Sequence, residues 1–429
     1  MFKTLRNAWA QPELRRKLLY VVFIVVLYRI GCSIPVPYLN ATVYDGIMSM
    51  GSGSIFEYMS IISGSAFSQA TLFALSISPY INSSIIMQLL SVAIPALENM
   101  SKEEDGRKKI NQITRVVTIA IALVTSYCYY MYLRNYGFLN NDGVFAAIVI
   151  ITCYTAGSAL IMWLGEKINE NGIGNGISII LFVNIVSSAP SIVSSIVSSV
   201  ASLDVATIIA SVVTIIMCVA MVIFIIFMTN SERRISVQYS KRQVGRKMYG
   251  GQSSTLPLKL NMAGVMPVIF ANSILALPGT ITMLIDSTPE EGTFLYGFQQ
   301  LFSYQSWLYA ALFLVLIVAF SYFYIAISFN PIEVSNNLKK NGGFIPGIRP
   351  GKPTSDYITK ILNKVTLMGA FFLGVIAVLP LVANIISGNR LTGIAFAGTS
   401  IIIVVGVAVD TYREIEAQMT MRHYKGFLE

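Results

Sequence analysis

The sequence predicts an all-α polytopic membrane protein with ten transmembrane helices. Composition is the first reason: 55% of the 429 residues are hydrophobic and only 12% are charged, whereas a soluble domain carries about 25% charged residues. The second reason is that the apolar residues fall into ten long stretches, and a helix needs about 20 such residues to cross a bilayer. The third is the distribution of lysine and arginine between the connections of these stretches.

The ten predicted spans cover residues 18–36, 67–94, 116–133, 144–164, 176–197, 206–228, 262–285, 307–328, 365–386 and 391–409. All except the first are free of lysine, arginine, aspartate and glutamate, and the exception is Arg29. An arginine at membrane depth pairs with neighbours or snorkels to the interface, and it can also act directly in transport. Both roles stay open for Arg29, with the first favoured.

The basic residues predict the orientation of the chain. Of the 30 lysines and arginines, 27 lie in the two tails and in the connections that follow even-numbered spans. Cytoplasmic segments carry such an excess of positive charge. Both termini are therefore expected to be cytoplasmic.

Ten spans divide into two sets of five with opposite orientation. The predicted halves are residues 1–198 and 199–429. Inverted repeats of this kind place a transport site at the interface between the halves. The two halves are expected to be pseudo-symmetric, although their sequences share little similarity.

The stretch from residue 54 to 90 differs from an ordinary span. Residues 54–65 are too short to cross a bilayer and end in Ser63-Gly64-Ser65, and the following span contains Ser76, Pro79 and several other polar residues. Broken backbone at membrane depth survives only inside protein or against water. We therefore expect the first part of this stretch to form a plug and the second span to line a pore.

Two connections, residues 229–261 and 330–364, are too long to be simple turns. The first alternates Ile235, Val237 and Tyr239 with polar residues, which predicts a short strand. Its expected tip carries Lys241, Arg242, Arg246 and Lys247, and the second connection places Arg349 in a Gly-Ile-Arg-Pro-Gly turn. These charges fit either the usual cytoplasmic bias with anionic lipid headgroups or docking of an acidic or phosphate-rich partner. The loop lengths and rigid turns favour docking.

The sequence shows none of the common catalytic motifs. It has no phosphate-binding GxxxxGK[ST], no HExxH, no CxxC and no GxSxG, so neither an enzyme nor a bound cofactor or metal is expected. The four cysteines, Cys32, Cys128, Cys153 and Cys218, lie in or beside apolar stretches, which favours core packing over disulfides. No aspartate, glutamate or histidine lies in a span, which disfavours an ion-coupled transporter. Backbone carbonyls can bind Na⁺, so a secondary transporter for a small solute remains the alternative.

Five stretches carry a family resemblance. They are IPVP at 34–37, SPYINSSIIMQLL at 78–90, GEKINENGIGNGISI at 165–179, PLKLNMAGVMP at 257–267 and NNLKKNGGFIPGIRPG at 336–351. With them the chain closely resembles the SecY family from about residue 2 to 420. That family comprises the central subunits of the bacterial protein-conducting channel and is related to the large subunit of the eukaryotic and archaeal translocon. The resemblance implies an hourglass pore in the bacterial inner (plasma) membrane.

The resemblance also implies roles for particular residues. The expected pore ring, a collar of apolar side chains, is Ile81, Ile85, Ile177, Leu181, Ile269 and Ile403. The expected plug, residues 54–68, includes Ser54, Ile55, Phe56, Met59, Ile62, Ser63 and Gly64. The expected lateral gate, between spans two and three on one side and seven and eight on the other, includes Asn82, Gln88, Pro267, Asn272, Ser273 and Pro278. Without the resemblance, the ring residues would be interpreted as ordinary helix packing.

The resemblance further implies partners. The two long connections are expected to dock the SecA ATPase or a translating ribosome with its nascent chain, chiefly through Arg349 and the basic tip. SecE and SecG are the expected small membrane subunits, and signal-sequence-bearing polypeptides are the expected cargo. Anionic lipids are a further expected partner, and a dimer of the complex stays open.

Overall fold

A computed structural model of the chain describes residues 6, 9–40, 60, 63–201, 205–239, 242–244, 247–249, 253–285, 297, 302, 306–386 and 397–425. Its helices are α1 Pro12–Gly31, α2 Ser78–Ala93, α3 Pro95–Lys102, α4 Glu104–Asn135, α5 Val144–Asn171, α6 Gly176–Ala201, α7 Val205–Asn230, α8 Met266–Ile285, α9 Trp307–Ser328, α10 Pro331–Lys340, α11 Lys352–Ile386 and α12 Ala397–Lys425. The fold is therefore mostly helical, as predicted, and a helix lies at each of the ten predicted spans.

Several helices are long and apolar enough to span a membrane. Within the described ranges, α4, α5, α7, α9 and α11 pass this test by length and composition, and the pair α2 and α3 would pass as one span bent by 108°. The chain is thus a multi-pass membrane protein, and the count of ten crossings stays a prediction. Helices α4 and α11 begin well before their predicted spans because a helix can continue into water once its backbone bonds are formed within it.

The prediction of a span over residues 67–94 is wrong at its start. Helix α2 begins only at Ser78, and residues 64–77 form turns. Ser65, Ala70 and Ser76 have positive φ angles of 72°, 47° and 51°, a conformation that costs a residue with a Cβ about 1–2 kcal/mol. Contacts with other helices must therefore impose this path on the chain.

The irregular segment makes hydrogen bonds within itself and also with neighbouring elements. The hydroxyl of Tyr129 on α4 donates to the Phe67 carbonyl at 2.6 Å, and that of Tyr154 on α5 donates to the Ala70 carbonyl at 3.3 Å. The Leu72 amide donates to the Ile34 carbonyl at 2.9 Å. Phe67 and Ala70 are almost fully buried. Broken backbone therefore lies inside protein here, where its polar groups have partners.

A small β-structure is built from the two long connections. The strands are β1 Glu232–Tyr239, β2 Arg242–Val244, β3 Lys247–Tyr249, β4 Ser253–Lys259 and β5 Gly343–Phe344. β1 pairs antiparallel with β4, and Tyr239 at its end pairs with Gly343 of β5. The predicted strand at 235–239 is confirmed. In the sheet, β1 lies between β4 and β5, so the two connections form one unit. We call the surface formed by strands β1 to β5 and the turn at residues 347–351 the hairpin face.

The sheet has its own apolar core. Ile235, Val237 and Leu258 of the hairpin pack with Ile345 of the second connection and Ile358 of α11. This cluster links the sheet to a long membrane helix. The two connections are therefore one platform that is anchored on α11.

Helices α1 to α6, which lie before residue 202, contact helices α7 to α12 along two interfaces, which we call seams. Helix α8 contacts α2 and α4 at one seam, and α6 contacts α7 and α12 at the other. Within the later set, α11 packs on both α9 and α12. The assignment of two inverted halves, 1–198 and 199–429, stays a prediction.

All four cysteines are free thiols. Cys32 and Cys128 are buried, and Cys153 and Cys218 are partly buried. They occupy apolar surroundings, as predicted.

Substitution of two glycines in α5 tests how closely this helix packs against the irregular segment. A Cβ at Gly157 would lie 2.1 Å from the Leu72 carbonyl oxygen, whereas the nearest atom to a Cβ at Gly165 would be 3.6 Å away. We expect Gly157→Ala to destabilise the protein by about 1–3 kcal/mol, because the clash is with backbone. Gly165→Ala, the matched control, should be neutral or stabilising by up to about 1 kcal/mol. Thermal unfolding in detergent measures both, and equal effects would contradict the packing.

Candidate functional site

The six predicted ring residues lie on four helices and share one apolar cluster. Five of the side chains are between 2% and 7% exposed, and the sixth, Ile177, is partly buried against the same cluster. Helices α2 and α6 contribute two residues each, and α8 and α12 contribute one each. The cluster also contains many ordinary packing residues. The burial fits a closed pore, and the assignment of the ring itself stays a prediction.

Most of the predicted plug lies outside the described residues, namely Ser54, Ile55, Phe56, Met59 and Ile62. Of the named plug residues, Ser63 and Gly64 are described. Ser63 is 1% exposed and its hydroxyl accepts a hydrogen bond from the Phe67 amide at 3.0 Å. Gly64, with a φ of 64°, lies directly on α6. These two residues of the predicted plug are therefore buried, and Gly64 lies against α6, which carries two of the predicted ring residues.

The helices of the predicted gate form two pairs. The Ser83 hydroxyl of α2 donates to the Thr114 carbonyl of α4 at 2.8 Å, which fixes these two helices together. Phe270 of α8 and Phe320 of α9 make an edge-to-face contact with ring centroids 5.9 Å apart. Because α8 also contacts α2 and α4, the seam between the two pairs is shut in this structure.

The predicted gate residues line α2 and α8. Pro267 and Asn272 are buried, and Asn82, Gln88, Ser273 and Pro278 are partly buried. Gln88 donates to Ser84 within its own helix at 3.3 Å. Pro278 lies inside α8, where it removes one backbone hydrogen bond and weakens the helix locally.

Arg349 is exposed at a rigid turn on the hairpin face. Its carbonyl accepts from the Thr354 hydroxyl at 2.9 Å, and the Gly351 carbonyl accepts from the Ser335 hydroxyl at 2.8 Å. Gly347 and Gly351 have φ angles of 82° and 105°, which only glycine adopts without strain. The turn therefore holds the backbone of Arg349 in a fixed position and leaves its side chain exposed.

The predicted basic tip belongs to a second small hairpin. Arg242 begins β2 and Lys247 begins β3, and the two strands pair antiparallel through Arg242 with Tyr249 and Val244 with Lys247. Lys241 and Arg246 lie outside the described residues. The structure thus brings the described tip residues onto paired strands.

Sequence reasoning missed Arg413, which connects the base of the hairpin to α12. The Arg413 guanidinium on α12 donates to the Thr229 carbonyl and to Asn230 Oδ1, both at 2.8 Å. These acceptors lie at the end of α7, where the helix dipole favours a cation, and directly before β1. Since α12 also carries Ile403, one arginine joins the base of the hairpin to the helix of a predicted ring residue. In the sequence it was only one more basic residue of the tail.

A cavity of about 270 Å³ opens beside this contact. Its polar lining includes Lys259 at the end of β4, Asn261 and Asp410 of α12, and its apolar wall includes Ile402. The end of the hairpin and the ring helix α12 therefore share one cavity wall.

Comparison with known proteins places the chain in a family. A family model described as SecY matches residues 71–412. The protein translocase subunit SecY of Streptomyces coelicolor is 40% identical over 441 residues and covers 100% of both chains. That of Mycobacterium tuberculosis H37Rv is 40% identical with 97% of both chains covered. The chain belongs to the SecY family.

Solved structures show the same fold. One titled "The structure of a protein conducting channel" matches 94% of this chain and 92% of its own, with a TM-score of 0.67 and 18% identity. Sec61 in a canine ribosome-channel complex from the endoplasmic reticulum has the same coverage and identity and a TM-score of 0.63. The SecY-family architecture is therefore shown both by sequence and by backbone geometry.

Proposed function

We propose that this SecY-family chain is the protein-conducting channel subunit of a translocon, which passes unfolded secretory polypeptides across the membrane and releases membrane segments sideways into lipid. Membership of the family carries the proposal, because the full-length relatives are translocase subunits. The site geometry agrees with it, since the six ring residues lie together in one buried cluster. The matches give no support to the small-solute transporter. Catalysis is not part of this function.

The ring would seal the channel by its apolar character. A narrow apolar constriction excludes water and ions because wetting it is unfavourable. Ile81 and Ile85 on α2, like Ile177 and Leu181 on α6, are spaced i, i+4, so each pair shares one helix face. Six separate side chains can move apart around an extended polypeptide and close again behind it.

The gate would open by movement of α8 and α9 away from α2 and α4. The Ser83–Thr114 bond and the Phe270–Phe320 contact support movement of each pair as a unit. Pro278 gives α8 a weak point at which it can bend. Opening this seam would connect the pore with lipid, which is the exit that a membrane segment needs.

The hairpin face would dock the driving partner in the cytoplasm. The basic distribution predicts that this face and both termini are cytoplasmic in a bacterial inner membrane. The related Sec61 and yeast Ssh1 channels are described in ribosome complexes, which supports a translating ribosome as one partner. SecA is proposed as the alternative motor, SecE and SecG as accessory subunits, and anionic lipids as surroundings.

A crosslink to a stalled substrate tests the function directly. A single cysteine at Ile85 in a cysteine-free chain should form a disulfide with a mid-chain cysteine of a secretory protein held in transit. The bond should appear only during translocation, because the polypeptide then passes the ring. A cysteine at Ile86, which is exposed on the other side of α2, is the control. Reaction at Ile86 without reaction at Ile85 would contradict passage through the ring.

Glycine substitutions test the seal. The double variant Ile85→Gly with Ile403→Gly should leak ions at rest, because two large side chains are removed from the apolar constriction. The double variant Ile86→Gly with Val404→Gly places glycine at the adjacent positions of the same helices, so it controls for weakened helices. Conductance of the purified complex in planar bilayers is the measurement. Equal conductance of the two double variants would show that the ring is wrongly assigned.

Charge reversal tests the docking surface. Arg349→Glu should abolish SecA-driven translocation and leave assembly with SecE intact, because the exposed side chain contributes to docking and not to the core. Lys352→Glu changes a nearby exposed lysine by the same charge and should have a smaller effect. Translocation into vesicles and co-purification of SecE measure the two properties. Normal motor-driven rates for Arg349→Glu would eliminate the proposed role.

A further inference from the structure

Asn184 lies at a point where two other segments meet α6. It is 0% exposed and lies about one helical turn after the ring residue Leu181. Its Nδ2 donates a buried hydrogen bond to the hydroxyl of Ser76 at 3.1 Å. Ser76 belongs to the irregular segment directly before α2. One amide therefore joins α6 to the start of another helix that carries ring residues.

Gly64 rests on the same turn of α6. A Cβ at Gly64 would lie 2.7 Å from Ser187 Oγ and 3.1 Å from both Cα and the carbonyl oxygen of Asn184. The φ angle of Gly64 is 64°. The backbone at Gly64 therefore packs directly on α6, where a side chain at this position would not fit. The end of the predicted plug and the start of α2 are thus both held at Asn184.

Serine is an unfavourable residue for the backbone conformation at position 76. Ser76 is 2% exposed and has a φ of 51°, a region that glycine adopts readily and serine does not. What a serine adds over glycine at this site is a hydroxyl, and that hydroxyl accepts the bond from Asn184. A buried side-chain amide within a membrane helix likewise needs a partner.

We propose that Asn184 and Ser76 form a latch that holds the channel closed. The proposal rests on the channel function above and assigns both as positioning residues, which act through α2 and the plug end. The latch fixes the start of α2, with Ile81 and Ile85, relative to α6, with Ile177 and Leu181. Opening that moves α2 from α6 must break this bond. One net hydrogen bond corresponds to a factor of about 2 to 12 in the ratio of closed to open channel.

The experiment is a double-mutant cycle on resting ion conductance of the purified complex in planar bilayers. Asn184→Ala and Ser76→Ala should each raise resting conductance by about 2- to 12-fold. The double variant should conduct no more than the stronger single variant, because all three lack the same bond. Parental conductance of the single variants, or effects that multiply in the double variant, would overturn the latch.

Ser76→Gly separates a latch from a merely structural contact. Glycine relieves the positive φ, so thermal stability should be unchanged or higher, while loss of the hydroxyl should still raise resting conductance. Unchanged conductance in this stable variant would overturn the proposal. Ser321→Ala is the matched control, since Ser321 is equally buried but its hydroxyl bonds within its own helix, to Ile317 at 2.7 Å. Its conductance should equal that of the parent.

The glycine variants of the ring distinguish failure of the latch from failure of the channel function. A leak in Ile85→Gly with Ile403→Gly, but none in the latch variants, would refute the latch alone. No leak in either set would refute both the latch and the ring.

Discussion

The structure depends on one constraint, which is that buried backbone must find hydrogen-bond partners where no water is at hand. Residues 64–77 are not helical: some of their backbone groups bond within the segment, as the Ala74 amide does to the Thr71 carbonyl, and neighbouring elements supply partners for others. Tyr129 and Tyr154 donate to two of the carbonyls, and Ile34 accepts from one of the amides. These bonds set where α4 and α5 must lie around the segment.

The same constraint explains why small residues surround the segment. Gly157 lets α5 approach the Leu72 carbonyl, and Gly31 leaves room for the ring of Phe73, which would lie 2.0 Å from a Cβ at that position. Phe73 in turn stacks on Tyr28 of α1, with centroids 5.4 Å apart. Because α1, α4 and α5 hold the irregular segment in place, α2 begins at a fixed position in the bundle. Ile81 and Ile85 of α2 therefore lie in the apolar cluster.

A few polar contacts join distant parts of the otherwise apolar bundle. At the hairpin face, Arg413 joins the base of β1 to the helix of Ile403. On α6, Asn184 joins the start of α2 to the helix of Leu181. The apolar contacts are non-directional and allow helices to slide, whereas each hydrogen bond is either made or broken. Polar contacts at the helices of the predicted ring therefore fit the proposal of discrete closed and open arrangements.

The sequence alone determined the class, the helix positions and the family, because membrane burial demands long apolar runs and these are local in the chain. It also determined the strand at 235–239, since alternation of apolar residues is local too. It did not determine the path of residues 67–77, where an apolar run predicted helix and the structure has turns. Hydrogen bonds from Tyr129 and Tyr154, distant in the chain, override that local preference. The pairing of β1 with β5, the bond from Asn184 to Ser76 and the tie from Arg413 to α7 likewise join residues far apart in sequence. Only the tertiary structure decides such contacts, because each depends on which helices are neighbours and at what height.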